Sequence, residues 1–422
     1  MLERLNTKQS SSLASSTLPN LPLTLLALGS LKIWIALTDV YDALKRSQEL
    51  SSPMSSYSQL QEGIYLFEHG INPYSGGSVR HSPLLLSLFT TLFPKSRRAA
   101  SVFWALSDVL GAWILVQIWR ARQNVKGGWR DTLVAASYLL NPYLFLPSLA
   151  LSTSTLENTL ILATILLACR GRAAPSLLLL AFSTHLSLNS LVILIPVVLL
   201  LLSDPHSHLA SPQPSKATLK RIGALIGTFV FYIFVLGSIS TLVVNNLSWI
   251  PQTWGATLTL PDLQPNTGLW WYFFTEMFDH FRPFFLMVFT THLLIYVAPI
   301  SIKFQYDPLY ATFILLGILG TFKPYATLSD PGLFFSMIAI FPEIYSYLRH
   351  PIVTALLHLH AGLLMPLFNH IWLSQGTGNA NFFYATTLVF ACANAAGLVD
   401  CIWAGMRLAI GQSGDKFEVV QE

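Results

Sequence analysis

Three side chains that could do acid–base or ligand chemistry stand close together near residue 280. Glu276, Asp279 and His280 follow one another at the spacing i, i+3 and i+4. Residues at this spacing share one face of an α-helix, so the sequence predicts one polar stripe on a helical turn. Such a stripe could bind a metal, act as an acid–base pair, or anchor the chain to a partner subunit. Three ligands are too few to argue for a metal alone, and no metal site is predicted.

The residues before this trio combine turn formers with aromatic rings. Pro261, Pro265 and Gly268 predict a turn, and a short helix is expected to begin near Gly268. This helix would place a belt of aromatic residues at the level of the lipid headgroups. The candidates for contact with a headgroup in this segment are Asn266, Trp270, Trp271, Glu276 and His280.

A second polar turn lies between two long apolar stretches near the carboxyl end. It contains Asn379 and Asn381, and Phe382, Phe383 and Tyr384 follow directly. Neutral amides both donate and accept hydrogen bonds, which suits sugar hydroxyls and phosphate esters. The aromatic rings could stack on a sugar or border the acyl region. Alternatively, asparagine caps the helix that follows. The two roles are compatible, because two asparagines are present.

An acidic pair stands just past the first apolar stretch. Asp39 and Asp42 are three residues apart and would share one face of a helix. The pair resembles the D-x-D motif in the first lumenal loop of multi-span mannosyltransferases, although the spacing here is D-x-x-D. Two interpretations stay open: a base for glycosyl transfer from a lipid-linked donor, or two solvated acids beside the end of a span.

Membrane-spanning helices must position these candidates. Of the 422 residues, 53% are apolar and only 10% are charged, whereas about a quarter of a soluble domain is charged. The net charge of +4 fits a surplus of lysine and arginine in cytosolic loops better than a nucleic-acid-binding face. The composition therefore predicts an all-α polytopic membrane protein.

Apolar stretches near twenty residues long predict about twelve transmembrane helices. The strong ones are 21–38, 99–119, 132–150, 222–244, 283–302, 351–373 and 382–406, and the shorter ones are 155–169, 174–186, 188–203, 308–322 and 331–348. Residues 82–93 are too few to cross about 30 Å of hydrocarbon, so an interfacial or re-entrant helix is expected there.

Lysine and arginine clusters orient these spans. If residues 82–93 do not cross, the later basic clusters fall on the same side as the N-terminus, which the positive-inside rule makes cytosolic. Lys95, Arg97 and Arg98 are the exception. The expected organisation is a disordered cytosolic tail (1–18), one transmembrane domain (19–410) with lumenal segments 39–98, 245–282 and 374–381, and a cytosolic tail (411–422).

The cysteines argue against a protease nucleophile in this chain. Cys169, Cys392 and Cys401 all lie in apolar segments, where a thiolate would be costly. Their spacing indicates neither a disulfide framework nor a zinc site, and no cofactor is expected. A transporter is a further alternative, but no internal inverted repeat is visible.

Longer motifs show a resemblance to a known family. The run from Pro261 to Phe281, PDLQPNTGLWWYFFTEMFDHF, resembles the signature segment of the PIG-U family, the U subunit of the glycosylphosphatidylinositol (GPI) transamidase complex. Leu139–Tyr143 (LLNPY) and Gly378–Ala385 (GNANFFYA) resemble two more of its motifs, and Pro53–Tyr57 and Gly70–Gly76 match its first loop. The likeness runs from about residue 38 to residue 406.

This resemblance implies a function that the residues alone do not specify. PIG-U proteins are multi-pass subunits of an endoplasmic-reticulum complex that joins proprotein carboxyl ends to a GPI lipid, on a bundle related to the multi-span glycosyltransferases. The expected role is non-catalytic recognition or positioning of the GPI lipid. The expected partners are the other transamidase subunits, including a cysteine protease subunit. A lipid-donor mannosyltransferase using Asp39 and Asp42 is the alternative.

Overall fold

Every regular element in the described part of the chain is a helix. The computed structural model describes residues 20–215, 217–259 and 263–411. The predicted tails 1–18 and 411–422 lie outside these ranges, apart from Gly411. The α-helices are, in chain order, α1 (Leu21–Ala36), α2 (Val40–Leu44), α3 (Tyr57–Glu68), α4 (Pro83–Thr91), α5 (Arg97–Gln123), α6 (Arg130–Leu139), α7 (Pro142–Leu149), α8 (Thr153–Cys169), α9 (Ala173–Leu186), α10 (Leu194–Leu201), α11 (Leu219–Val244), α12 (Ala256–Thr259), α13 (Trp271–Thr275), α14 (Arg282–Thr291), α15 (Val297–Lys303), α16 (Pro308–Phe322), α17 (Ser329–Met337), α18 (Pro351–Asn369) and α19 (Ala380–Ile410).

Short 3-10 and π segments extend several of these helices. The 3-10 segments are Leu188–Ile193, His292–Tyr296, Ile338–Ile340 and Pro342–Tyr347, and the π segments are Pro251–Gly255 and His370–Ser374. The segment His292–Tyr296 joins α14 to α15, and the segment His370–Ser374 continues α18.

Five helices are long and apolar enough to cross a membrane. They are Arg97–Gln123, Leu219–Val244, Arg282–Lys303, Pro351–Ser374 and Ala380–Ile410, and the bent pair α6–α7 makes a sixth if it is one span. Six further apolar helices have 10 to 17 residues and coincide with α1 and the stretches predicted as shorter spans. The structure therefore shows a multi-pass helical membrane protein with five or six full-length spans.

Left-handed residues end two of the long helices. Asn124 follows α5 with φ 52°, and Asn245 follows α11 with φ 60°. Asparagine adopts this conformation more easily than most residues other than glycine, so the position of each asparagine determines where its helix ends. Gly411 ends α19 with φ 80°.

The segment 82–93 forms α4, a helix of nine residues. A helix of this length is about 14 Å long, roughly half of the hydrocarbon thickness, so it cannot cross a bilayer. Leu86 and Phe89 are fully buried in one cluster with Tyr57 of α3 and Trp104 of α5. The prediction that this segment does not span the membrane agrees with the length of α4.

Polar contacts join the loops into two separate groups, one at each end of the bundle. One group, here the aromatic end, holds residues 37–96, 245–281, 323–328 and 374–379; the amide of Leu328 donates to the Glu49 carbonyl across 3.1 Å within it. The other group, the basic end, is joined by Arg122, which donates to Asp307 (2.8 Å) and Glu343 (2.7 Å). The main apolar core lies between them around α16, which is buried on all sides.

Candidate lipid-binding site

Trp271 is the point where the two motif-bearing segments of the aromatic end meet. It is 3% exposed and packs in one cluster with Leu50, Met365 and Phe383. The ring centroids of Trp271 and Phe383 are 5.8 Å apart, and those of Trp271 and Tyr384 are 5.6 Å apart. Residues far apart in the sequence, from the first loop, α13, α18 and α19, therefore share one aromatic core.

A hydrogen bond fixes the same junction. The Tyr384 hydroxyl donates to the Leu269 carbonyl across 2.9 Å, and the Tyr384 ring lies 5.0 Å from the ring of Tyr272. The phenol thus ties the start of α19 to the turn before α13. Phe383 is fully buried and Tyr384 is half-buried, so the side chains of these two candidates serve packing at the junction.

The two asparagines before α19 have different roles. Asn379 Oδ1 accepts hydrogen bonds from the amides of Asn381 (3.0 Å) and Phe382 (3.3 Å), which makes Asn379 the N-cap of α19. Asn381 is exposed, and its side chain makes no hydrogen bond to the described residues. Phe382 is 55% exposed and stacks on Phe368 with 5.6 Å between ring centroids. Asn381 and Phe382 are therefore the members of this motif whose side chains are exposed.

Asn266 and Trp270 are bound within the protein. Asn266 is 2% exposed, and its Oδ1 accepts a 2.7 Å hydrogen bond from the Gly268 amide, closing the predicted turn. Any side chain at position 268 would meet Asn266 Oδ1 at 2.8 Å and the Lys323 carbonyl at 3.1 Å, so this close approach requires glycine. Trp270 Nε1 donates to the Phe322 carbonyl across 3.1 Å.

The predicted polar stripe of Glu276, Asp279 and His280 is wrong. Helix α13 ends at Thr275, and α14 begins only at Arg282, so the trio lies in a turn and shares no helical face. The sequence interpretation missed Arg282, which donates to the carbonyls of Phe274 and Met277 across 2.7 Å each. These bonds occupy carbonyl oxygens that would otherwise accept hydrogen bonds from the amides of a continuing helix.

The three members of that trio are consequently exposed. Asp279 pairs with Arg282 across 2.7 Å, and the His280 ring lies 4.0 Å from the Phe281 ring. Glu276 sits at the carboxyl end of α13. In the described part of the chain no group of three histidine, cysteine or acidic side chains is placed to hold a metal.

The acidic pair of the first loop is held by one arginine. Asp39 precedes α2, Asp42 lies within it, and both carboxylates contact Arg97 at the start of α5. Asp42 also pairs with Lys45 across 2.7 Å. Both cations favour the charged carboxylate and hold the pKa of Asp42 below its ordinary value. These contacts give the two aspartates a structural role. They also give a counter-charge to Arg97, one of the basic residues that depart from the positive-inside rule.

The LLNPY motif makes the bend between α6 and α7. The two helices differ in direction by 49°, and Pro142 starts α7. Asn141 Oδ1 caps α7 by accepting from the Tyr143 amide (3.0 Å), while its Nδ2 donates to the Gly332 carbonyl (3.0 Å). The Tyr143 hydroxyl reaches His358 Nδ1 of α18 across 3.1 Å. The motif thus opens a gap between the bent pair and α18.

That gap is a cleft of about 1200 Å³ between three walls. The walls, together called the lateral cleft below, are the segment 43–50, the bend from Ala136 to Leu146, and the face of α18 from Ala355 to Ser374. Leu140, Leu359 and Leu363, which line it, are more than half exposed. Its lining is predominantly apolar, and the cleft continues into the cluster that contains Trp271 through Leu50 and Met365.

Unsatisfied polar groups line this apolar cleft. Glu49 Oε1, His358 Nε2 and Asn369 Nδ2 are buried and have no hydrogen-bond partner among the described residues. Burial raises the pKa of Glu49 to about 7. Buried polar groups are normally hydrogen-bonded, so these three indicate a place where a polar ligand or ordered water belongs.

The structure therefore brings together only part of the predicted site. Trp271, Phe383 and Tyr384 meet, whereas Glu276 and His280 stand apart on an exposed turn. The cleft-lining residues Arg46, Glu49, Gly362 and Asn369 were not predicted. Residues 132–150 were predicted as one strong span, but the structure bends them at the LLNPY motif. This motif could have pointed toward the cleft, since a proline after a cap favours a break in an apolar span.

Comparison with known proteins agrees with the motif resemblance. The model of the family described as GPI transamidase subunit PIG-U matches residues 25–390. The GPI transamidase component GAB1 of Saccharomyces cerevisiae is 36% identical over 387 residues, covering 90% of this chain and 94% of that protein. The GPI-anchor transamidase component PIGU of Homo sapiens is 30% identical over 410 residues, covering 92% of this chain and 94% of its own length. The extent of the family match and the identity to these relatives show that the chain belongs to the PIG-U family.

Proposed function

We propose that this chain is a subunit of a GPI transamidase complex in the endoplasmic-reticulum membrane, where it recognises or positions the GPI lipid for attachment to proprotein carboxyl ends. The observation that carries the proposal is the junction at Trp271. There the two family motifs around residues 270 and 380 meet beside a lipid-sized apolar cleft. A lipid-handling subunit needs this combination of a polar surface and an adjoining apolar recess.

Twelve membrane passes with both termini cytosolic are part of the proposal. Contacts between loops support it: the Thr153 amide donates to the Ser55 carbonyl and Trp254 Nε1 to the His185 carbonyl at the aromatic end, and Arg122 contacts Ser207 and Asp307 at the basic end. Two of the three residues that depart from the charge rule, Lys95 and Arg97, also have an explanation. Lys95 pairs with Glu68 and Arg97 with Asp39 and Asp42, so these bases carry nearby counter-charges. The aromatic end would then be lumenal.

The proposed role involves no bond-making chemistry by this chain. Cys169 and Cys401 are buried among apolar residues, where a thiolate nucleophile would be disfavoured. Cys392 is exposed, but it lies on α19, a helix apolar enough to cross a membrane, where a thiolate would also be costly. The carboxylates of Asp39 and Asp42 are engaged by Arg97, which weakens them as bases. The proposal therefore assigns the nucleophile to a cysteine protease subunit, and the comparisons do not favour the mannosyltransferase alternative.

Purification with partner identification tests this function. The tagged protein, extracted in mild detergent, is expected to retain the other transamidase subunits, and its depletion is expected to remove a GPI-anchored reporter from the cell surface while mannosylated GPI precursors accumulate. Depletion that instead abolishes mannosylated precursors would contradict the proposal and favour glycosyl transfer. Purification without any transamidase subunit would also contradict it.

A further inference from the structure

His360 is a polar side chain on the outside of the bundle, near the middle of a span. It belongs to α18, which with its π extension runs from Pro351 to Ser374 and is long and apolar enough to cross a membrane. His360 comes nine residues after Pro351 and fourteen before Ser374, which is about 14 Å and about 21 Å along the helix. Its imidazole is exposed, so the ring lies at the depth of the roughly 30 Å hydrocarbon core.

One ring nitrogen of His360 is bonded within its own helix, and the other is not. Nδ1 lies 2.7 Å from the Leu356 carbonyl oxygen. Because a carbonyl oxygen only accepts, Nδ1 carries a proton, and Nε2 of the neutral ring keeps an acceptor lone pair. No described residue donates a hydrogen bond to Nε2. Hydrocarbon supplies no donor either, and an unsatisfied polar group in hydrocarbon is costly.

The side of α18 that carries His360 is opposite to the lateral cleft. At about 100° per residue, Leu364 and Leu367 fall within about 40° of His360. Both leucines are exposed, and neither lines the cleft. Gly362 and Asn369, which do line the cleft, are turned away from His360 by about 160° to 180°. His360 therefore belongs to a surface of its own.

Small side chains of α19 continue this surface. Phe368 of α18 stacks on Phe382 of α19, and the two antiparallel helices pack along their length. Eight residues from that stack, His360 is level with residue 390 of α19, about 3 Å along the helix from Cys392. Cys392 is exposed, and Ala396, one turn further on the same side, is half-buried. The resulting surface, called the outer face below, consists of His360, Leu364, Leu367, Cys392 and Ala396.

Electrostatic complementarity distinguishes the possible occupants of the outer face. An acyl chain covers apolar side chains but has no hydrogen to donate to the partial negative charge on His360 Nε2. A second copy of this chain meeting the same surface lacks a strong donor too, because the other side chains of the outer face are apolar apart from the weakly donating thiol of Cys392. A different transmembrane helix with a hydroxyl, amide or indole donor satisfies Nε2, and small residues such as Ala396 let it approach closely.

We infer that the outer face docks a transmembrane helix of another transamidase subunit, and that a hydroxyl, amide or indole group of that helix donates a hydrogen bond to His360 Nε2. This inference rests on the proposed function for the identity of the complex. It assigns to α18 two separate surfaces, the lateral cleft on one side and a subunit contact on the other.

Removing the acceptor tests the contact. His360→Leu is expected to raise the dissociation constant of one partner subunit by about three- to thirtyfold, the range for a hydrogen bond between transmembrane helices. His360→Gln, which keeps an acceptor oxygen, should stay within about twofold of the parent protein. The matched control is Ser238→Leu on α11, because the Ser238 hydroxyl is exposed and donates to its own helix at the Phe234 carbonyl. Dilution of the tagged complex in mild detergent, with each retained subunit quantified, measures the effect.

Photo-cross-linking identifies the occupant. A benzophenone amino acid at position 364 of the intact complex is expected to label a transmembrane segment of one other subunit, and this labelling should fall at least threefold when His360→Leu is added. Labelling of lipid alone, or of a second copy of this chain alone, would overturn the inference.

Equal retention of every subunit in His360→Leu and in Ser238→Leu would overturn it as well. In each of these cases the proposed function still stands if the tagged chain retains the transamidase subunits. If the parent protein retains none of them, the proposed function and this inference fail together.

Discussion

At the scale of single residues, one motif divides between structure and ligand contact. The side-chain oxygen of Asn379 caps the first turn of α19, whereas the side chain of Asn381 is exposed. Sequence reasoning allowed both asparagines both roles. The geometry gives the cap to Asn379, because only the residue before the first helical turn can reach the free amides of that turn.

The two asparagines are therefore expected to fail in different ways when replaced. Asn379→Ala should cost about 1 kcal/mol of stability through loss of the cap. Asn381→Ala should leave the thermal midpoint of the purified complex unchanged but weaken GPI engagement by roughly two- to tenfold, the value of one neutral hydrogen bond. Thermal unfolding and the surface level of a GPI-anchored reporter measure the two effects. Normal anchoring with Asn381→Ala would contradict a headgroup role for this residue.

Glu49 makes the folding stability depend on pH. Its carboxyl is 7% exposed, and burial raises its pKa from 4.5 to about 7. Between these values the folded protein keeps a proton that the unfolded chain releases, so the free energy of unfolding falls as pH rises from about 4.5 to about 7 and then levels off. Glu49→Gln removes this loss, and its advantage in melting temperature over the parent protein should be larger at pH 8 than at pH 5. An equal difference in melting temperature between Glu49→Gln and the parent protein at both pH values would contradict this prediction.

At the scale of elements, a buried ion pair holds α1 against α5. Lys32 pairs with Asp108, the two side chains are 2% and 3% exposed, and the ammonium lies 5.0 Å from the centre of the Phe145 ring. Charges inside a membrane bundle are tolerated when they pair with one another. The pair thus specifies how the first helix docks on the bundle.

Replacing one member of that pair should destabilise the protein more than replacing both. Lys32→Met leaves a buried carboxylate without its cation, with an expected loss of about 3–5 kcal/mol, and Lys32→Met combined with Asp108→Leu should recover most of it. Lys95→Met is the control, since the Lys95–Glu68 pair is exposed and should be worth less than about 1 kcal/mol. Melting temperatures of the purified complexes compare the three variants. A double variant as unstable as Lys32→Met alone would contradict this account.

At the scale of the whole molecule, charge separates the two ends of the bundle. The basic end carries Arg122, which is buried between Asp307 and Glu343, together with Arg120 and Arg130. The aromatic end carries the family motifs other than LLNPY, and its bases Lys95 and Arg97 are paired with carboxylates. This asymmetry is what the positive-inside rule converts into an orientation.

The orientation leads to a direct prediction of accessibility. Protease tags at both termini and near residue 125 should be cleaved from the cytosolic side of sealed microsomes, and a tag inserted at the exposed Gly376 should be protected until detergent is added. The Gly376 insertion serves as the lumenal control. Protection of the tag near residue 125 would contradict the proposed twelve-pass topology.

Composition and local pattern were enough to predict several features. Apolar stretches predicted the positions of the helices, the shortness of residues 82–93 predicted α4, and the asparagines before an apolar run indicated a cap as one of two roles. Each of these features depends on residues a few positions apart in the sequence, so it can be predicted without knowing which residues are neighbours in space. The family motifs indicated the biological context in the same local way, through unbroken runs such as 261–281 and 378–385.

Only the tertiary structure decided which residues meet. Hydropathy says that a helix is buried or lipid-facing, but it does not give the rotation and tilt that bring Lys32 to Asp108 or Phe383 to Trp271. The stripe of Glu276, Asp279 and His280 failed for the same reason, because Arg282 captures the carbonyls at the end of α13. The lateral cleft lies between α18 and the pair α6–α7, whose axes differ by 49°. A cavity is a space between elements, and no residue in the sequence encodes it alone.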